Sequence, residues 1–128
     1  MFRFSPNPNN AHRIRWIDWG PSAFDRARIE KKPVMLFLGA FWCGICQRMD
    51  ETTFSHTDTI ALLNAYFVPI RVEDAQRPDI DVRYNRNGWP TIVFLSAEGD
   101  YLAGVNYLSS QDFNDVLVRI HVGYQKRE

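Results

Sequence analysis

Strand and helix signals alternate along this chain and end in a hairpin and one last helix. That order predicts an α/β fold: a central mixed sheet, parallel in its centre with an antiparallel hairpin, and helices on both faces. Three stretches carry the prediction. Val34-Met35-Leu36-Phe37-Leu38 is apolar without alternation, as in a strand covered on both sides. Thr91 to Leu95 and Tyr101 to Val105 flank Ala97-Glu98-Gly99-Asp100, which reads as a hairpin with a Gly-containing turn. Phe113, Val116, Leu117 and Ile120 fall at i, i+3, i+4, i+7, the apolar stripe of an amphipathic helix.

The remaining elements follow from local chemistry. Residues 1–13 look irregular and form an arm. Ile14 to Trp19 alternates in part and reads as a short strand. Gly20-Pro21-Ser22 starts a helix through about Lys31, because Pro is tolerated in the first turn; Phe24 and Ala27 face inward. Pro33 ends it, and the apolar strand spans 34–40. A helix beginning near Cys43 sets Cys46, Met49 and Thr53 on one face. Thr57 to Ala65 forms another helix, Phe67 to Val72 the next strand, and Arg77 to Asn85 a short helix. Ser109 and Ser110 are both candidate caps for the closing helix. The expected division is one domain over 14–122, flanked by the arm and by a tail at 123–128. Nothing repeats and no linker interrupts it.

Composition narrows the function classes. The chain has 128 residues, 45% of them apolar, so a single core needs no metal or set of staples. Fifteen basic residues balance fifteen acidic ones, which leaves no global field for nucleic acid or an anionic membrane. The start, Met1 to Asn10, has no apolar run of a secretory signal, and no stretch approaches the ~18–20 apolar residues of a membrane span. The expectation is a soluble, cytoplasmic monomer with no bound cofactor.

The strongest functional signal is Trp42-Cys43-Gly44-Ile45-Cys46, which holds the only two cysteines. A strand-to-helix junction puts Cys43 at the positive end of a helix, where a thiolate is stabilised, and Cys46 one turn on, where it can close a disulfide. Lowering the Cys43 pKa from about 8.5 to about 7 would raise its thiolate fraction at neutral pH from roughly 3% to roughly 50%. Nucleophilicity falls alongside, so the net rate gain is only around threefold, and the larger effect is on redox poise. A purely structural staple is the alternative. So short a loop constrains the unfolded chain by only about 2 kcal/mol, and a staple explains neither the location nor Trp42. Zinc would need two further ligands, and His12, His56 and His121 have no finger-like spacing. Asp50, four residues after Cys46, shares its helical face; it is either a carboxylate beside the thiols or a plain surface group.

This order, with the Cys-x-x-Cys after the second predicted strand and Trp89-Pro90-Thr91 opening the hairpin, resembles the thioredoxin-like superfamily from about Trp16 to Ile120. Cys43 to Ser55 is similar to the thioredoxin domains of thiol:disulfide interchange proteins. Phe67-Val68-Pro69-Ile70 and Arg77-Pro78-Asp79-Ile80-Asp81 look like the N-terminal domain of the spermatogenesis-associated thioredoxin-like proteins; that group's large helical domain has no counterpart in these residues.

The resemblance implies thiol–disulfide exchange with protein or peptide substrates and a reductase partner for turnover. Cys43 would be the nucleophile and Cys46 the resolving thiol. It also implies that Pro90 is a cis-proline facing the cysteines, where the preceding backbone pairs with an extended substrate, and that Asp50 lies near the site as a proton acceptor for Cys46. Trp42, Ile45 and Trp89 are the candidates for substrate contact, with Phe41 either on the rim or in the core. Three departures stand out. Phe37 occupies the position of thioredoxin's buried Asp, Ile45 that of its Pro, and Gly44 and Gln47 stand where the second group usually has His. A groove-binding, chaperone-like module without redox cycling, or a redox-sensing interaction domain, are the competing readings.

Overall fold

The computed structural model describes residues 2–85 and 88–127, so Met1 at the tip of the arm and Glu128 at the end of the tail lie outside it. Its elements are α1 (Pro21–Glu30), β1 (Val34–Gly39), α2 (Gly44–Glu51), α3 (Thr57–Tyr66), β2 (Val68–Glu73), α4 (Pro78–Tyr84), β3 (Thr91–Leu95), β4 (Tyr101–Val105) and α5 (Ser110–Gln125). Short 3-10 turns occur at Ala11–Arg13 and Thr53–Ser55.

Four strands form one mixed sheet in the order β2-β1-β3-β4. β1 runs parallel to β2, while β3 is antiparallel to both β1 and β4. β1 is buried at all six positions because both its faces are covered. Met35, Phe37, Ile92 and Phe94 join one core with Met49, Phe54, Leu63, Phe113 and Leu117 of α2, α3, α5 and the second 3-10 turn. Val34, Leu36, Leu38, Val93 and Leu95 point the other way, into a second core with Ala23 and Ala27 of α1 and Ile80 and Tyr84 of α4. The period-2 alternation of side chains therefore feeds two cores, one on each face.

The predicted strand at Ile14–Trp19 is reduced to one bridge, Ile17 to Ile70. Its aromatics explain the loss. Trp16 turns into the first core and donates its indole N–H to the Ala11 carbonyl at 2.9 Å, whereas Trp19 packs edge-on to Phe24 on the other side. Phe24 is itself half-buried, and Ala23 supplies the fully buried contact.

Ser109 caps α5, its hydroxyl accepting from the Asp112 N–H at 3.3 Å. Ser109→Ala is expected to lower stability by about 1 kcal/mol, read as a shift in the urea midpoint at unchanged slope. An unchanged midpoint would show that the cap contributes nothing.

Candidate active site

The site lies at the C-terminal end of β1, where the chain turns into α2. Cys43 is the N-cap of α2, and its Sγ accepts from the Cys46 backbone N–H at 3.1 Å. Sulfur thus takes the place that a Ser or Asp oxygen fills at an ordinary cap, accepting from one of the N–H groups that the first turn leaves unpaired. The turn before it is fixed by Cys43 N–H to the Ala40 carbonyl (3.0 Å) and by Gln47 Nε2 to the Phe41 carbonyl (3.2 Å). Both cysteines are free thiols, 6% and 5% exposed. Burial, first, and then hydrogen bonding to Cys43 push the Cys46 thiol far above its ordinary value; the negative charges of Cys43 and Asp50 add to this, and a backbone contact at Ala40 opposes it.

Around this buried pair stands an apolar rim. Trp42 is 59% exposed, and Ile45 and Phe41 are each 52% exposed. Phe41 is therefore on the rim and not in the core. Trp42 packs edge-to-face on Trp89, with ring centroids 5.8 Å apart. Pro90 is buried, and the Trp89–Pro90 peptide bond is cis. Asn106 Nδ2 donates to the Pro90 carbonyl at 2.9 Å, and Thr91 Oγ1 to the Gly88 carbonyl at 2.6 Å. These bonds fix the loop whose Trp89 packs on Trp42. Trp42, Ile45 and Trp89 are thus gathered around the Cys43–Cys46 turn.

Asp50 is no surface carboxylate: it is 2% exposed and bound by Arg71 of β2 through two parallel hydrogen bonds, 2.9 Å to Oδ1 and 2.7 Å to Oδ2. The Ser5 backbone N–H donates a third bond to Oδ2 at 3.0 Å. Arg71 is the register partner of Phe37, whose ring lies 4.7 Å from the guanidinium; Phe4 and Trp16 lie at 4.4 and 5.0 Å. The aromatic side chain at position 37 faces the cation through its ring, and the balancing negative charge comes from the helix.

The N-terminal arm completes this layer. Arg3 gives its carbonyl to Arg71 Nη2 at 3.0 Å and sets its guanidinium over Phe41, and Ser5 and Asn7 bond Glu51. Arg71 and the arm residues Arg3, Phe4 and Ser5 are parts of the site that sequence reading missed. The available signal was Arg71 itself, a cation between Ile70 and Val72 in the predicted strand Phe67 to Val72, which demands a buried anion.

A mixed sheet, a Cys-x-x-Cys whose first sulfur caps a helix, and an adjoining Xaa-cis-Pro loop define a thioredoxin-like protein. The model of the Thioredox_DsbH family, protein of unknown function DUF255, matches residues 7–128, and the chain belongs to that family. It is 32% identical over 129 residues to spermatogenesis-associated protein 20 of Homo sapiens, covering 90% of this chain but only 16% of that protein's length. It is 22% identical to disulfide bond reductase DsbH of Chlamydia pneumoniae over 112 residues, 78% of this chain and 67% of that one. A solved thioredoxin from Thermus thermophilus superposes with a TM-score of 0.76 at 24% identity, over 88% of this chain and 90% of that chain, a likeness of fold. Among the described residues no helix is long and apolar enough to cross a membrane, and no three His, Cys, Asp or Glu are grouped to hold a metal.

Proposed function

We propose that this chain exchanges disulfides with protein or peptide thiols. The observation that carries the reading is Cys43 Sγ at the N-cap of α2, 3.1 Å from the Cys46 N–H, with Cys46 one turn on. Cys43 attacks the substrate disulfide and forms a mixed disulfide. Cys46 then attacks Cys43, closes the internal disulfide and releases the substrate thiol. The exposed Trp42 and Ile45, with Trp89, offer an apolar surface to the polypeptide around the target sulfur, and the backbone before Pro90 aligns it as an added strand. Asp50, locked by Arg71, supplies fixed negative charge to the cavity wall beside Cys46. A reductase partner renews the dithiol, and the exchanging domain, expected over 14–122, takes in the arm that closes over Arg71 and Asp50 and α5 through Gln125. The relative named a disulfide bond reductase supports this reading.

A second reading, a binding module with an idle cysteine pair, is favoured by the same exposed rim, which binds whether or not the thiols cycle. A redox titration in glutathione and dithiothreitol buffers separates the two, read by alkylation and by Trp42–Trp89 fluorescence. Exchange predicts a reversible two-electron transition between about −270 and −120 mV. A pair inert across that range leaves only the binding module.

A further inference from the structure

Resolution of the mixed disulfide needs a group that takes the Cys46 proton, and Phe37, which lines the same cavity, has none to offer. Cys46 lines a cavity of about 280 Å³ together with Asp50, Arg71 and Glu73, roofed by Arg3, Phe4 and Ser5 of the arm. At roughly 30 Å³ per water, and with these polar walls, it has room for several bridging waters. Arg71 and Glu73 are two apart on β2, so both point to this face of the sheet. The register partner of Glu73 is Gly39, which has no side chain to fill the space; a Cβ there would stand 2.8 Å from the Phe37 ring.

The two carboxylates in the cavity wall differ in what they have free. Both oxygens of Asp50 are engaged, one by Arg71 and the other by Arg71 and Ser5. Glu73 has the Phe41 backbone N–H as a hydrogen-bonding neighbour, while its Oε1 is buried with no hydrogen-bond partner among the described residues. We propose that Glu73, and not Asp50, is the proton acceptor for Cys46. This inference rests on the exchange reading above.

The Cys46 proton passes through water in the cavity to Glu73 Oε1. The Cys46 thiolate attacks Cys43 Sγ, the Cys43–Cys46 bond forms, and the bond from Cys43 to the substrate sulfur breaks. Its electron pair leaves on the substrate sulfur, which takes a proton from solvent. The protein dithiol is oxidised and the substrate disulfide is reduced. Burial holds the Glu73 carboxyl above the ordinary carboxylate range and so brings it closer to a thiol in proton affinity, against the opposing effect of the Phe41 N–H. The charged and titratable groups around it are Asp74 beside it on the chain, Arg71 on β2, Arg3 on the arm, and Cys46 and Asp50 on α2.

The test is single-turnover oxidation of the full reduced chain by glutathione disulfide, followed by fluorescence and quenched alkylation from about pH 6 to 9. Glu73→Gln keeps the shape and removes the acceptor. Mixed-disulfide formation at Cys43 is expected to stay within about twofold, and resolution to slow by about tenfold or more near neutrality. The gap closes at high pH as hydroxide takes over, and Glu73→Asp falls between the two. Equal resolution rates and pH profiles for wild type and Glu73→Gln would overturn the proposal. So would a slowed Asp50→Asn beside an unaffected Glu73→Gln, since the proton would then go to Asp50. If Glu73→Gln does not fold, Glu73→Ala, which also removes the acceptor, carries the test, and a wild-type profile in it overturns the assignment. A wild-type protein that forms no mixed disulfide would instead sink the exchange reading itself.

Discussion

Cys43→Ser is expected to lower thiol–disulfide exchange by at least ~10³-fold, because no other thiolate in the chain can start the reaction. Cys46→Ser should fail differently. Its Cys43 still attacks, and the mixed disulfide accumulates because the intramolecular resolving thiol is gone. A well-oriented intramolecular partner has an effective molarity on the order of 10⁵ M, so millimolar external thiol cannot replace it. Mass spectrometry of the reaction with a peptide disulfide checks both. A trapped adduct in Cys46→Ser and none in Cys43→Ser is the expected pair of results. Adduct in both, or in neither, would remove the assignment of roles.

The environment of Cys46 adds two pH dependences. Burial, reinforced by the hydrogen bond with Cys43, raises the folded-state proton affinity of this thiol. Resolution in the wild type should therefore keep accelerating as pH rises past neutrality. The folded protein also binds this proton more tightly than the unfolded chain does. Its contribution to the stability of the reduced protein is thus complete below the ordinary thiol value of 9.0 and is lost as pH rises above it. Cys46→Ser should lack that alkaline loss in urea melts at a series of pH values.

Local chemistry was legible in the sequence where one residue or one period decides the outcome. The unbroken apolar run gave β1, the i, i+3, i+4, i+7 stripe gave α5, and Ser109 proved to be its cap. The Cys-x-x-Cys at a strand-to-helix junction located the site. What long-range packing decides was not legible. Asp50 looks alike on paper whether it faces water or Arg71, which lies 21 positions away. The arm has no periodicity, yet Ser5 and Arg3 close over that pair because their backbone groups find partners there, which side-chain patterns do not encode. Glu73 ends a strand next to Asp74 and looks like ordinary solvated charge until Gly39 and Phe41 are placed against it. Ile14 to Trp19 has the alternation of a strand, but its two tryptophans bury on opposite sides and keep only the Ile17 bridge.

Arg71→Met is expected to lower stability by about 3–5 kcal/mol, because it leaves the Asp50 carboxylate buried without its cation. The geometry puts this pair at the costly end. Arg71 and Asp50 side chains are 8% and 2% exposed, so solvent screens them little, and the bonds are two and parallel. Removing both charges should be far milder: Asp50→Leu combined with Arg71→Met replaces the pair by apolar groups in a site already lined by Phe4, Trp16 and Phe37. A double-mutant cycle by urea unfolding checks this, with an expected coupling of up to about 3 kcal/mol. A single variant that loses less than about 1 kcal/mol would show a pair screened as at a surface. The cycle also separates two functions of Asp50. If the double variant refolds and still resolves mixed disulfides, the ion pair serves to hold the arm and cavity wall in place. The proton of Cys46 then leaves by another group, the one that Glu73 is placed to be.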